Sequence, residues 1–511
     1  MDLPIHDEIL WLACVKASRS LLSSNQLDGP SQDPRLAFPY LVRGSWMNDM
    51  NQVSPLLDKL GDPDVGPQQA TLFQGLWKLE LEDLLQQRVT RFPFSADLRQ
   101  ARASILSAPQ NVDGFGEYDP FDHLDVPENK PLIEYEAWSS AARLGRASTA
   151  NFTVTRHVPN RLVTACVSDR VERLTPQRLT IFGRALHTLA DFFAHSNYVE
   201  LLLWSLAWRN RLDSGIVEAF NHDDGSVDAG HALFRCPLPP RGPRAGDTLR
   251  KAVLWYGASP EETPFVSALF DSKDTIYSLL HIYTAHLVRT DGKDQTEPAL
   301  DLAMAVFDIQ GAPLIKGAWE LLDSVADVFR GIGQAARNFL ATGIAKAAVG
   351  RDPTTRDLME TAAHLVRRYD SKEANEWARA GKIKFLAREL QLQMAGELDA
   401  QSAARMLLPH HSLLAKDHVG DEAGGQLRFK LACLLATEVT AKVIEWYFSP
   451  GAPNLDDYRA LTGTVLVHPW RLLDATPDFD RRLAERVRTA DGSARWQHLS
   501  LEGLDLLEGL L

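Results

Sequence analysis

The residues of this 511-residue chain that are best suited to chemistry are two histidines and an aspartate, each four positions from the next. They are His187, Asp191 and His195 in the segment LHTLADFFAHSNYVEL. On an α-helix this spacing places all three side chains in one stripe. Imidazoles and carboxylates are common zinc ligands. The spacing alone fits a metal site or a buried hydrogen-bond network of histidine and aspartate.

The length of the stripe bears on the number of ions. His187 and His195 are about 12 Å apart along a helix axis, at ~1.5 Å per residue. Joint ligation of one ion at ~2.1 Å by both imidazoles is therefore awkward. Two ions on either side of a shared Asp191 form the simpler arrangement.

The helix that must position the stripe has clear signals. Thr175 is suited to the N-cap and Pro176 to the first helical position. The rest of the helix is apolar almost all round, which predicts burial on every side. Buried polar groups without partners cost about 2 kcal/mol or more each, so the stripe needs partners. The apolar positions are Leu179, Ile181, Phe182, Leu186, Leu189, Ala190, Phe192, Phe193 and Ala194.

The wider chain has long windows of helical periodicity, including residues 321–340 and 357–392, and few alternating runs. We therefore expect an all-α, mostly helical fold. Residues 311–351 mix apolar, small and basic residues, which fits core helices with a solvated face or a helix pair on a membrane surface.

Loop signals suggest the domain organisation. The proline-rich stretch 236–247 is the best boundary. We assign residues 1–235 to a metal-binding helical core and 248–470 to a helical region that packs back on it. Residues 471–511 are assigned to a C-terminal tail.

Composition excludes some classes of function. The formal charge of −13 disfavours binding to duplex nucleic acid. The four cysteines form no CxxC pair, so we interpret them as buried or free thiols.

The N-terminus lacks a basic region before its apolar stretch, which predicts cytoplasmic synthesis without a signal peptide. Delivery to membranes or export by a signal-independent route stays open.

Several segments resemble the heterokaryon incompatibility Het-C family of fungi and bacteria. Besides the stripe, the similar blocks are HDEI from His6, GSWMNDMNQ from Gly44, FGEYDPFDHLDVPEN from Phe115 and HHSLLAKDHV from His410. Their order also resembles the superfamily of zinc-dependent phospholipases C and single-strand nucleases. This resemblance implies an all-α, phospholipase C/nuclease-like helical core with helical insertions and a cluster of two or three zinc ions.

The resemblance also implies a set of ligands. Asp49, His123, His187 and Asp191 would surround one ion, His195 would bind a second and His6 a third. Other residues would complete the second site. The candidates are Glu200, His222 and the set of His411, Asp417 and His418.

Some of these candidates have a plain structural interpretation. Glu200 with Asn197 fits a capping box that restarts the helix, and His222 fits a surface loop. His411 and His418 are two helical turns apart on one face. Because His195 alone cannot hold an ion, we expect the block around His411 to fold back onto the stripe.

The function that follows is a zinc-dependent phosphodiesterase that hydrolyses membrane phospholipids as a phospholipase C. A hydroxide bridging two ions would attack phosphorus, with Asp49 and Asp191 as the catalytic carboxylates. Similarity to Het-C implies a membrane-damaging toxin in cell death, with a regulatory or immunity protein as a partner. One alternative is a non-enzymatic membrane-active or interaction protein with a structural metal site, and another is a single-strand nuclease.

Overall fold

The computed structural model describes part of the chain. The described residues are 3–27, 32–50, 96–100, 120–124, 126–127, 158, 160–196, 198–209, 211, 269–270, 334–350, 353–368, 373, 377, 423–451, 454–475 and 477–491. The proline-rich stretch 236–247 and the block 410–419 lie outside them.

The described elements are almost all α-helices, which confirms the predicted all-α class. Two-residue strands β1 (Val126–Pro127) and β2 (Leu269–Phe270) form one short parallel pair, and a 3-10 turn spans Pro120–His123. The helices are α1 (Leu3–Ser23), α2 (Pro34–Met50), α3 (Arg170–Arg173), α4 (Pro176–Ala194), α5 (Tyr198–Trp208), α6 (Gln334–Ala347), α7 (Pro353–Arg367), α8 (Ala423–Phe448), α9 (Leu455–Thr464), α10 (Pro469–Ala475) and α11 (Pro477–Asp491).

Helix α4 carries the stripe and begins where the sequence predicts. Thr175 has the extended backbone of an N-cap and Pro176 is the first helical residue. The Thr175 hydroxyl does not cap α4, because it donates to the carbonyl oxygen of Glu172 at 2.8 Å. The predicted burial on every side is confirmed for the C-terminal half of α4, but Ile181 is 43% exposed, so its predicted burial is wrong. The first two turns of α4 face solvent on that side, whereas residues 185–196 are all buried.

Two glycines allow α2 and α4 to pack backbone to backbone. A Cβ atom at Gly44 would lie 2.1 Å from the carbonyl oxygen of Thr180, and one at Gly183 would lie 2.1 Å from that of Leu41. No larger residue fits at either position without moving a helix. This close approach brings the side chains that follow Gly44 on α2 next to those that follow Gly183 on α4.

Helix α1 is held against α2 by a buried polar contact. The indole Nε1–H of Trp46 donates to Asp7 Oδ1 at 2.8 Å, and both side chains are buried. Asp7 follows His6 directly, so this contact also sets the position of the His6 backbone.

Helix α8 lies against α1 and α4 although it comes some 230 residues after α4. Tyr447 of α8 stacks on Phe182 of α4 with ring centroids 3.7 Å apart, and its hydroxyl donates to the Arg173 carbonyl oxygen at 2.9 Å. Phe182 is nine residues before Asp191, which places it on the opposite side of α4 from the stripe. Helix α8 therefore packs on the side of α4 that is opposite the stripe.

The segment assigned to a C-terminal tail is helical and packed as far as Asp491. Helix α10 contacts α5, and α11 contacts α8. Leu472, Leu473, Phe479 and Leu483 are buried in the same apolar core as α4.

Helices α6 and α7 pack against each other. Leu340, Ala341 and Ile344 of α6 are buried, so the described part of residues 311–351 has one buried apolar face. Among the described helices, none combines the length and the apolar composition needed to cross a membrane.

Candidate metal centre

The structure brings four histidines around the carboxylate of Asp191. His6 comes from α1, His123 from the 3-10 turn, His187 from α4 and His195 from the C-cap of α4. All five side chains are buried, with at most 1% of their surface exposed. We call His6, His123, His187, Asp191 and His195 the His–Asp cluster.

The two oxygens of Asp191 face different pairs of imidazoles. Oδ2 lies 2.9 Å from His187 Nε2 and 3.3 Å from His123 Nδ1. Oδ1 lies 3.1 Å from His6 Nε2 and 3.4 Å from His195 Nε2. Asp191 is thus shared between two groups of ligands, and His187 and His195 approach different oxygens.

The atoms around Oδ2 have the spacing that a metal ion requires. His123 Nδ1 and His187 Nε2 are 3.4 Å apart, and each is within 3.3 Å of Oδ2. Ligand atoms that surround one tetrahedral ion at ~2.1 Å lie about 3.4 Å from each other. His6 and His187 approach different oxygens of Asp191, yet these three residues also offer ligand atoms that all lie within 4.8 Å of one another, so the two halves of the cluster adjoin.

Backbone and hydroxyl contacts orient two of the rings. His195 Nδ1 lies 3.0 Å from the carbonyl oxygen of His123, and since a carbonyl only accepts, Nδ1 carries the proton. In the neutral ring, Nε2 then directs its lone pair at the Asp191 carboxylate. Two lone pairs that face each other at 3.4 Å call for a cation between them or a proton on the ring.

Ser45 contributes a contact to the cluster that the sequence analysis did not identify. Its Oγ lies 3.1 Å from His187 Nδ1, and both groups are buried. A proton on Nδ1 that is donated to Ser45 leaves Nε2 of His187 free to bind an ion. Gly44 was the available signal, because a glycine inside a helix often marks a close approach.

The position of His123 depends on a strained turn. Leu124, the next residue, has a φ of 56° although it is not a glycine, and its side chain is buried. Asp122 on the other side is ion-paired with Arg161. Such strain persists only where surrounding contacts impose it, and it is concentrated at functional sites.

The electrostatic environment favours the protonation states of His6 and Asp191 that bind metal ions. Burial, together with neighbouring His187, holds the pKa of His6 well below its usual range, so its ring is neutral. Burial raises the pKa of Asp191, but coulombic interactions with nearby positive charge, that of His195 first, outweigh burial and hold that pKa well below its usual range. A neutral imidazole and an ionised carboxylate are the forms that bind metal ions.

The residues of the cluster fit a metal ion. Within the described part of the chain, His6 Nε2 is buried and makes no hydrogen bond of good geometry, although it lies 3.1 Å from Asp191 Oδ1. A buried nitrogen that lies beside a carboxylate without a hydrogen bond of good geometry is suited to bind a cation. The cluster can therefore hold a metal ion, as the sequence predicts.

The other predicted ligands are not placed. Asp49 and Glu200 lie on the backbones of α2 and α5, and their side chains are outside what the structure describes. His222, His411, Asp417 and His418 also lie outside the described residues, so the predicted return of the block around His411 stays a prediction.

The chain was compared with protein-family models, curated proteins and solved structures, and none of them matches it.

Proposed function

We propose that the His–Asp cluster is a zinc centre with two ions and that the protein is a phosphodiesterase of the phospholipase C type. The observation that carries the proposal is the division of the cluster between the two oxygens of Asp191. His123 and His187 approach Oδ2, while His6 and His195 approach Oδ1. One carboxylate that serves two pairs of imidazoles is suited to bridge two cations.

Zinc suits this set because imidazole nitrogens and carboxylate oxygens are its usual ligands besides thiolate. The described cysteines lie elsewhere in the chain, and Cys14 and Cys433 are buried as free thiols. Each ion would need further ligands beyond those described. Asp49, Glu200, His222, His411, Asp417 and His418 remain the candidates from the sequence.

The chemistry that zinc supplies at such a site is a lowered pKa of bound water and polarisation of a phosphoryl oxygen. The chain's own residues prepare the site for it. Asp191 stays ionised and offsets part of the cationic charge, while His6 stays neutral. Ser45 and the His123 carbonyl oxygen hold two rings in place, so little reorganisation is needed during the reaction.

The choice of substrate rests on the resemblance to Het-C and to the zinc phospholipases. The resemblance implies a set of ligands, and five of them have described side chains. These five, His6, His123, His187, Asp191 and His195, lie together in the fold. This agreement supports hydrolysis of membrane phospholipids, and with it a role as a membrane-damaging toxin that a regulatory or immunity protein restrains.

The test combines metal analysis with an enzyme assay. Purified protein is analysed for metal content and then incubated with phospholipid vesicles, with and without a chelator. We expect about two zinc ions per chain and release of phosphorylated head groups that the chelator abolishes. Asp191→Asn should lose both properties. Asp480→Asn is the matched control, since Asp480 is also buried but pairs with Arg211.

A second candidate function is a structural metal site in a non-enzymatic protein, and the depth of the cluster favours it. Each of the five side chains is at most 1% exposed, and structural zinc sites are closed, whereas catalytic sites keep an open position. A protein that binds two ions, loses stability with the chelator and releases no head group would support this candidate over the enzyme.

A further inference from the structure

Asn48 has a buried amide group without a hydrogen-bond partner among the residues that the structure describes. It is on α2 with none of its surface exposed. Neither Oδ1 nor Nδ2 has a hydrogen-bond partner in the described part of the chain. Burial of an amide without partners is costly, and an apolar side chain of similar volume avoids the cost. An asparagine that is buried in this way therefore indicates a binding role.

The position of Asn48 on α2 follows from its neighbours. Gly44 packs on the backbone of α4, and Ser45 reaches His187. Asn48 is four residues after Gly44 and three after Ser45, so it shares their face of the helix, one turn further on.

The turn of α4 that lies nearest to Asn48 follows from the direction of the two helices. Gly44 lies against Thr180 and Arg184, and Ser45 lies against His187. Helices α2 and α4 therefore run in the same direction along their contact. One turn beyond His187 on α4 is Asp191. The face of α2 that carries Asn48 therefore advances towards the level of Asp191.

We propose that Asn48 belongs to the metal centre and that its amide oxygen is a ligand to one of the ions. The inference rests on the proposed zinc centre and adds a ligand from this chain. Amide oxygens are neutral metal ligands, so this ligand adds no negative charge to a centre that already contains Asp191. The Nδ2 hydrogens are then available to a water or an anion bound beside the ion.

The test measures metal affinity and stability in two variants, with zinc as the probe. In Asn48→Leu, the affinity for zinc should fall at least about tenfold, the effect of losing one ligand or its orientation. The metal-free variant should unfold at no lower urea concentration than the parent, because an unmet amide has been removed. Asn48→Asp has nearly the same shape and should bind zinc more tightly than the parent, since a carboxylate replaces the amide.

Thr440→Val provides the matched control. The Thr440 hydroxyl is also buried and has no partner among the described residues, but it is on α8, which contacts α4 at Phe182, opposite Asp191. This variant should leave zinc affinity unchanged. Cobalt substitution adds a spectroscopic check, because loss of a ligand in Asn48→Leu should change the visible absorption of bound Co²⁺.

The outcomes separate this inference from the proposed function. A parent protein that binds no zinc overturns both. Zinc bound with equal affinity by the parent and by Asn48→Leu overturns the role of Asn48 and leaves the zinc centre standing. If Asn48→Leu fails to fold, Asn48→Asp decides, and zinc binding no tighter than that of the parent contradicts the proposal.

Discussion

Ser45 Oγ lies 3.1 Å from Nδ1 of His187, across the contact between α2 and α4. The other nitrogen of the same ring lies 2.9 Å from Asp191 Oδ2. Ser45 therefore decides which nitrogen of His187 faces the carboxylate. A helix that supplies a hydroxyl to the back of an imidazole holds the ring in its orientation.

Ser45→Ala should weaken zinc binding by about 10- to 100-fold while the fold is retained, because His187 loses the partner that orients it. The measurement is competition for zinc with a chelator of known affinity. Ser205→Ala is the control, since the buried Ser205 hydroxyl donates to the carbonyl oxygen of Leu201 in its own helix. Equal zinc affinity in Ser45→Ala and the parent would contradict the orienting role.

Asp191→Ala should remove both ions, whereas His6→Ala should leave one. Asp191 contacts all four imidazoles, whereas the contact of His6 is with Oδ1, on the side of His195. Elemental analysis of the two folded variants should give about zero and one zinc per chain, and circular dichroism checks that each remains helical. Hydrolysis and toxicity should fall further in Asp191→Ala. Equal metal content in the two variants would refute the division of the cluster.

Gly183→Ala should destabilise the protein by about 3 kcal/mol, at the upper end of the usual cost of overpacking. The added Cβ would lie 2.1 Å from the Leu41 carbonyl oxygen, so α2 and α4 must separate. Because Ser45 then moves away from His187, zinc affinity should fall as well. Urea unfolding and zinc titration measure the two effects. Gly451→Ala is the control, since a Cβ there meets nothing within 4 Å.

Asp33→Ala should cost about 1 kcal/mol at pH 7, the usual effect of removing an N-cap. Asp33 precedes α2, and its Oδ1 accepts the Arg35 backbone N–H at 2.9 Å. Burial raises the pKa of Asp33, but hydrogen bonds from Arg35 outweigh burial and hold it below its usual range.

The sign of the pH dependence follows from that direction. A carboxyl whose pKa is lower in the folded state stabilises above its unfolded pKa of about 3.9, and the stabilisation is lost as the pH falls through the folded pKa. The difference between Asp33→Ala and the parent should therefore be constant from pH 7 to about 5 and shrink below about 4. Urea unfolding across this range tests it, and a difference that grows on acidification would contradict the assignment.

Much of the site was predictable, because the residues that specify helix α4 and its stripe lie close together in the sequence. Thr175, Pro176 and the spacing of His187, Asp191 and His195 specify a helix with one polar stripe, and the structure contains that helix. The resemblance to known families added His6 and His123, which lie far from α4 in the chain. The burial of Ile181 was predicted wrongly, because apolar character alone does not say which side of a helix another element covers.

The sequence by itself determined the helical class, the start of α4 and the stripe of three ionisable groups, because helical periodicity acts between residues a few positions apart. Only the tertiary structure decided that His123 and His187 share Oδ2 while His6 and His195 share Oδ1. It also decided that Ser45 orients His187. These relations depend on how closely α1, α2 and the turn at His123 approach α4, and that approach is set by the two glycines and by core packing between residues distant in the chain.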